Sequence, residues 1–328
     1  MRRSIRLSRR RPMIILLGLV LTFSFEVSRS PVAHATAPLP NQSAAYYVES
    51  TNPAHAYTAG MVDGQYDTSH GYTHRDAILD FGGQLADGSG TQLFSNSFTN
   101  AQIEMIAEQY AVGYWAYTNA TMNLAIATNN DLYDISNAGG VTWAGVARAV
   151  WSSGYGVEVT PQVTFWGGND IETWTTNTTS TAVEAWAQGW NSSTGAKMVD
   201  YGDAAGCSKT GTTSGNGLTC SAAELNGGPN NHFTQYDYWY LSQGLTDETS
   251  VPEVYASGNS AEWEWICLYG NTYQGKKITF QGPLSNWYRN PVAPNYTPTQ
   301  SWDDLWNSLN GTACAQTPTY LIDVKAET

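Results

Sequence analysis

Short apolar runs alternate with stretches of helical spacing along most of this chain. The runs "AILDFG" (77–82), "AVGYWAYT" (111–118), "MNLAIATN" (122–129), "EVTPQVTFW" (158–166), "MVDYGDA" (198–204), "YDYWYLSQ" (236–243), "PEVYA" (252–256) and "KITFQGP" (277–283) read as strands. Residues 100–109, 142–152, 180–190, 260–268 and 299–309 read as helices. Several carry start signals: Asn100 ahead of Glu104, Ser180 or Thr181 ahead of Glu184, and Thr297 before Pro298. Strands alternating with helices predict a parallel sheet, and eight strands is the number that closes a barrel. The expectation is an α/β fold, a single-domain (β/α)8 barrel of TIM type with some irregularity, spanning residues 63–328. No helix is evident between the second and third runs. An open doubly wound sheet is the competing topology. It calls for a Gly-rich phosphate turn after its first strand, and "DFGGQLADGSG" lacks the G-x-G-x-x-G spacing.

The N-terminus changes this picture. Six arginines fill the first eleven residues, a short apolar run follows, and "AHA" (33–35) offers small residues for cleavage. Residues 1–35 read as a secretory signal peptide and 36–62 as an extended lead-in. Seven of the 15 basic and one of the 28 acidic residues lie in that peptide, so the remaining chain carries eight basic and 27 acidic residues, a net charge of −19. Such a chain repels phosphate backbones, so nucleic acid is excluded as a partner, and no later run is long enough to span a membrane. A secreted, extracellular protein is expected. The four cysteines form no C-x-x-C pair; disulfides Cys207–Cys220 and Cys267–Cys314 are the favoured pairing of three possible ones.

Candidate chemistry concentrates in "FWGGNDIETW" (165–174). On a strand, Thr164, Trp166, Gly168, Asp170 and Glu172 share one face, while Val163, Phe165, Gly167, Asn169 and Ile171 share the other. In a barrel the second face lies under the helices. The first points inward, with both carboxylates at the carboxyl end where barrel enzymes hold their chemistry. A bulge at the glycine pair would break this parity. Asp80 closes an earlier strand, and Tyr201 and Asp203 close a later one. Several acids in one mouth raise one another's pKa, so that one stays protonated while its neighbours are ionised, as cleavage of a glycosidic bond requires. Glu172 is then the acid, Asp170 its partner, and Asp80 and Asp203 tune the charge. The plainer alternative is that Asp170 and Glu172 cap the next helix. The chain's 13 Trp and 20 Tyr suit stacking on sugar faces, although most such rings build cores. Trp174, Trp166, Tyr201 and Gln281 are the candidate sugar contacts.

"GGNDIE" resembles the D-x-E strand of family 25 glycoside hydrolases, the lysozyme type, and "LDFGGQ" puts Asp80 where that family has an acid closing its first strand. The family's G-x-D-x-S opening is replaced by "AILDFG". The longer set "NDIETW", "YGDAAGC", "QYDYWYLSQG", "PEVY" and "ITFQGPL" is similar to secreted bacterial glycoside hydrolase-like barrels over most of residues 75–310. The resemblance implies a barrel acting on a cell-wall or extracellular glycan, a carbohydrate polymer. The rival class is a barrel that binds glycan without cleaving it. No G-x-S-x-G elbow is present. His70 and His74, four apart in "DTSHGYTHRD", read as loop residues rather than metal ligands. No cofactor and no metal are expected.

Overall fold

The computed structural model describes residues 40–129, 135–153, 158–159, 161–172, 179–194, 196–204, 206–207, 220 and 233–326. The predicted signal peptide lies outside them. The strands are β1 (Asn41–Tyr47), β2 (His74–Gln84), β3 (Gly90–Leu93), β4 (Asn96–Thr99), β5 (Thr121–Asn129), β6 (Val163–Asp170), β7 (Met198–Asp200), β8 (Glu248–Ser250), β9 (Leu284–Ser285) and β10 (Tyr320–Ala326). The helices are α1 (Pro53–His70), α2 (Asn100–Trp115), α3 (Asn137–Ser152), α4 (Ser180–Thr194), α5 (Gln235–Trp239), α6 (Asn259–Tyr269) and α7 (Pro298–Leu309). π-helical turns extend α5 over Tyr240–Gly244 and α6 over Gly270–Gln274.

Parallel pairing runs β8-β7-β6-β5-β2-β1-β10-β9. Two further parallel bridges, Ser250 to Phe280 and Glu253 to Leu284, join the continuation of β8 to the β9 segment. Every barrel strand therefore has a neighbour on each side, and eight parallel strands close on themselves. The antiparallel hairpin β3–β4 is an insertion after β2. The fold is the expected (β/α)8 barrel, and the doubly wound alternative is set aside by the bridges that join its two edges.

Its membership differs from the sequence reading in four places. Residues 41–47 are not part of a lead-in but the first barrel strand, and residues 53–70 form an 18-residue helix. That helix buries Ala56, Ala59, Gly60, Asp63, Gly64 and Asp67, so its inner face carries no large apolar side chain. Asp67 instead accepts from Arg75 Nε and Nη2 at 2.9 and 2.6 Å, and Asp63 accepts from the hydroxyls of Tyr46 and Tyr110 at 2.9 and 2.6 Å. A buried charge network replaces the apolar stripe that marks a helix. The run 111–118 is not a strand. It continues α2, whose buried positions Ile103, Ile106, Ala107, Tyr110, Ala111 and Tyr114 keep helical spacing throughout. This also supplies the helix missing before β5. The run 236–243 is helical too, started by a reciprocal cap between Thr234 and Asp237. The eighth strand is the C-terminal β10. His70 ends α1 and His74 opens β2, so neither is in a loop.

Two cores result. The barrel interior holds Ala45, Ile78, Ala125, Trp166, Val199, Tyr201, Val251, Leu284, Ile322 and Val324. The larger core lies between sheet and helices. Paired glycines let helix backbones touch: a Cβ on Gly60 would meet the Tyr110 carbonyl, and one on Gly113 the Tyr57 carbonyl. Both expected disulfides, Cys207–Cys220 and Cys267–Cys314, are formed. Among the described residues no helix is long and apolar enough to cross a membrane.

Candidate active site

The pairing of β5 with β6 runs without a shift from Met122–Val163 to Asn129–Asp170. The glycine pair makes no bulge, and strand parity holds: Trp166 lies in the barrel interior, while Val163, Phe165 and Ile171 belong to the core under the helices. The glycines serve packing. A Cβ on Gly167 would land on the Trp190 ring of α4, and one on Gly168 would press on Ala127 and, at 3.2 Å, on the Tyr201 ring. Aromatic rings thus lie against both faces of the strand just before it delivers Asp170 and Glu172 to the carboxyl end.

Glu253, on the continuation of β8, completes a set with them. One carboxyl oxygen from each of Asp170, Glu172 and Glu253 lies within 4.8 Å of the other two. Asp170 and Glu253 are buried; Glu172 is half-buried. Burial pushes the Asp170 carboxyl well above its ordinary range, reinforced by the charges of Glu172, Glu253 and Asp80. Glu253 is raised likewise by burial and then by Glu172 and Asp203. Three carboxyls this close cannot all be ionised in a site with so little water. The Tyr255 hydroxyl donates to Glu253, which favours the ionised form there. The same spacing would suit a hard divalent cation with oxygen ligands.

Asp80 lies in the same mouth. Burial lifts it to about 7, against the pull of the Gly82 amide, which it accepts at 2.6 Å, and of Tyr201 and Arg289. The Tyr201 hydroxyl donates to the Thr128 carbonyl at 3.0 Å, and the tyrosine lies within the field of Asp80 and Asp170. Tyr47, at the end of β1, lies within the field of Asp170, Glu253, Asp80 and Glu172. Asp203 is half-buried and adds to the field at Glu253 and at Glu262. Asp200 points the other way. It accepts from the Ser242 hydroxyl beneath the helices, and burial lifts it to about 7.

The structure therefore brings Asp80, Asp170, Glu172, Tyr201 and Asp203 to one end of the barrel. It does not bring Trp166 or Gln281 there. Trp166 sits four residues, about 13 Å of strand, below Asp170, with Lys197 Nζ 4.6 Å from its ring centre. Gln281 Nε2 bonds Thr249 at 3.1 Å, and its carbonyl accepts from Thr319 and Tyr320 at the start of β10. Both belong to the amino end of the barrel. Trp174 lies outside the described residues. Glu253, Tyr255 and Tyr47 were missed by the sequence reading. The signal was present in "VPEVY": Glu253 and Tyr255 share the parity of Val251, an interior residue, so Glu253 is a buried acid aimed inward.

No family model and no curated protein matches the chain. Among solved structures it is similar to an endo-1,4-beta-mannanase from Rhizomucor miehei, at 10% identity over 88% of this chain and 86% of that one, with a TM-score of 0.39. So loose a superposition says nothing of substrate, and the barrel is established by its own strand pairing.

Proposed function

We propose that this protein is an exported glycoside hydrolase that cleaves a cell-wall or extracellular glycan at the carboxyl end of its barrel. The observation that carries the reading is the trio Asp170, Glu172 and Glu253, with oxygens within 4.8 Å. Crowding and burial raise the proton affinity of Asp170 and Glu253 above that of an ordinary carboxyl. Glu172, the least buried, is the group that meets substrate, and it delivers to the leaving oxygen the proton that the trio shares. Asp170 and Glu253 share the remaining charge and steady the cationic ring that forms as the bond breaks. Asp80, Asp203 and Tyr201 set the field around them. Protons do this work without a bound cation, so cleavage should persist in a chelator.

The test is a reducing-end assay on peptidoglycan, chitin and xylan beside a pull-down on the same polymers. A general acid contributes about 10²–10⁴-fold to rate. Glu172→Gln, Asp170→Asn and Glu253→Gln should each cut turnover by a factor in that range while polymer binding survives. Wild-type cleavage that persists in Glu172→Gln would remove Glu172 from the role. The burial of Asp170 supports a second reading, a barrel that binds glycan without cutting it; wild-type binding with no cleavage on any polymer would establish that reading instead.

A further inference from the structure

The mouth has a rim that the acid trio leaves unused. β3 and β4 pair from Gly90–Thr99 to Leu93–Asn96, so only Phe94 and Ser95 form the turn. Phe94 has φ 53°, in the left-handed region, where a bulky side chain collides with its own backbone. Two-residue hairpin turns of this kind call for Asn, Asp or Gly. The Phe94 ring does not compensate by burying itself: it is 60% exposed, the most exposed of the large apolar side chains among the described residues. Burial of the ring does not account for the strained backbone. Strain of this sort is characteristic of functional positions.

The position of the ring supplies the rationale. Its centroid is 5.8 Å from that of Tyr47, edge to face. The Arg289 guanidinium lies over both rings, 4.6 Å from Tyr47 and 5.3 Å from Phe94. Arg289 is fixed in turn by Glu49 at 3.0 Å, and Asn96 ties the hairpin to the Glu49 carbonyl at 3.0 Å. Three segments that leave the carboxyl ends of β1, β2 and β9 thus converge, and Tyr47 connects them to the acids. Sugars offer apolar faces that stack on such rings, and cation–π contact holds the platform rigid before ligand arrives. The charge of the mouth narrows the ligand. Asp80, Asp170, Glu172, Asp203 and Glu253 face a substrate with Arg289 nearby, and Arg289 is already paired. An anionic chain meets repulsion there; an uncharged one does not.

We propose that Phe94, braced by Tyr47 and Arg289, is a stacking subsite for a pyranose ring of an uncharged glycan, one step along the chain from the ring held over the three carboxyls. This rests on the hydrolase reading above. The test compares wild type, Phe94→Gly and Phe94→Trp on whichever polymer of the panel the wild type cleaves. Glycine suits the left-handed turn, so Phe94→Gly should melt at the wild-type temperature or above it. Its KM for the polymer should rise about tenfold, the worth of one aromatic stacking contact, with kcat moving far less. Phe94→Trp should keep the wild-type KM. An unchanged KM in Phe94→Gly overturns the subsite and leaves the hydrolase reading standing. A melting temperature several degrees lower in Phe94→Gly also overturns it, because the ring then serves the fold. If the wild type neither binds nor cleaves any polymer, both readings fall.

Discussion

Lowering the pH from about 8 to about 5 should raise the melting temperature, and two carboxyls give a lower bound to the rise. Asp80 and Asp200 are buried, and burial lifts each to about 7. In the unfolded chain each returns to about 3.9. A carboxyl raised in the folded state binds its proton more tightly there. It destabilises the fold fully above its folded value, less as pH falls through that value, and not at all below the unfolded value. Each should recover roughly 2.5 kcal/mol between about pH 8 and about pH 5. Asp170, Glu253 and Glu248 move in the same direction. Among the described residues the buried group that opposes them is Asp63. Burial pushes it up, but Arg75, Lys325 and the hydroxyls of Tyr110 and Tyr46 outweigh burial and hold it below the ordinary range. Its contribution is lost only below about pH 4, outside the window. Two carboxyls together give roughly 5 kcal/mol, or roughly 10 °C for a chain of this size. Melts followed by circular dichroism at constant ionic strength measure it, with Asp80→Asn as the control. Asparagine cannot titrate, so that variant should lose roughly 2.5 kcal/mol of the rise. A melting temperature that falls steadily across the window, or an Asp80→Asn profile parallel to wild type, would refute the reasoning.

The glycine pair and the second disulfide give simpler tests. Gly167→Ala drives a methyl into the Trp190 ring, so it should destabilise by about 1–3 kcal/mol and lower any turnover by shifting Asp170 and Glu172. Gly145→Ala, in α3 with open space around its Cβ, should instead stabilise by about 0.5–1 kcal/mol; urea midpoints of the two variants should move in opposite directions. The Cys267–Cys314 bridge closes a separation of 47 residues, worth about 4 kcal/mol by loop closure. Cys267→Ser should therefore lower the urea midpoint sharply, and a midpoint within error of wild type counts against that value.

The strands that could be read from the sequence are the ones whose apolar pattern had nothing to compete with it. β2, β5 and β6 each hold a short apolar run because they are covered on both faces, by helices outside and by the barrel interior within. β1 is "NQSAAYY", with small and polar side chains in place of branched ones, and it fell below notice. α1 vanished for a related reason: its buried face is made of alanine, glycine and two aspartates that pair with Arg75. Tertiary ion pairing is invisible to a periodicity built on apolar residues. The two false strands, 111–118 and 236–243, are aromatic-rich helices, and aromatic residues favour strands in isolation. Two strands were wrongly added and two wrongly omitted, and the runs 252–256 and 277–283 hold only the isolated bridges at Glu253 and Phe280 beside β8 and β9, so the count of eight came out right although its members changed.

The same contrast governs the site. Asp170 and Glu172 were legible because Asp170 ends β6 and Glu172 follows two residues on, so alternation along one run of chain brings both to one place. Glu253 reaches them from the continuation of β8, far along the chain, and only closure of the barrel brings it within 4.8 Å. Nothing local distinguishes Glu253 from Glu248, which is also buried on a strand. Parity does separate them. Glu253 follows Val251 on the face that fills the barrel, whereas Glu248 accepts from the Leu245 amide at 2.7 Å, beside the π-turn after α5. A barrel sorts its buried acids by odd and even position. Those facing inward at the carboxyl ends meet one another, and those facing outward meet helices. Asp200 and Tyr201, adjacent in sequence, show the rule at its sharpest: the aspartate bonds Ser242 beneath the helices, while the tyrosine ring packs over Gly168 within the mouth. An acid trio can therefore be sought in other barrels from sequence, once strand registers are known, by collecting the carboxylates that share parity with the interior residues.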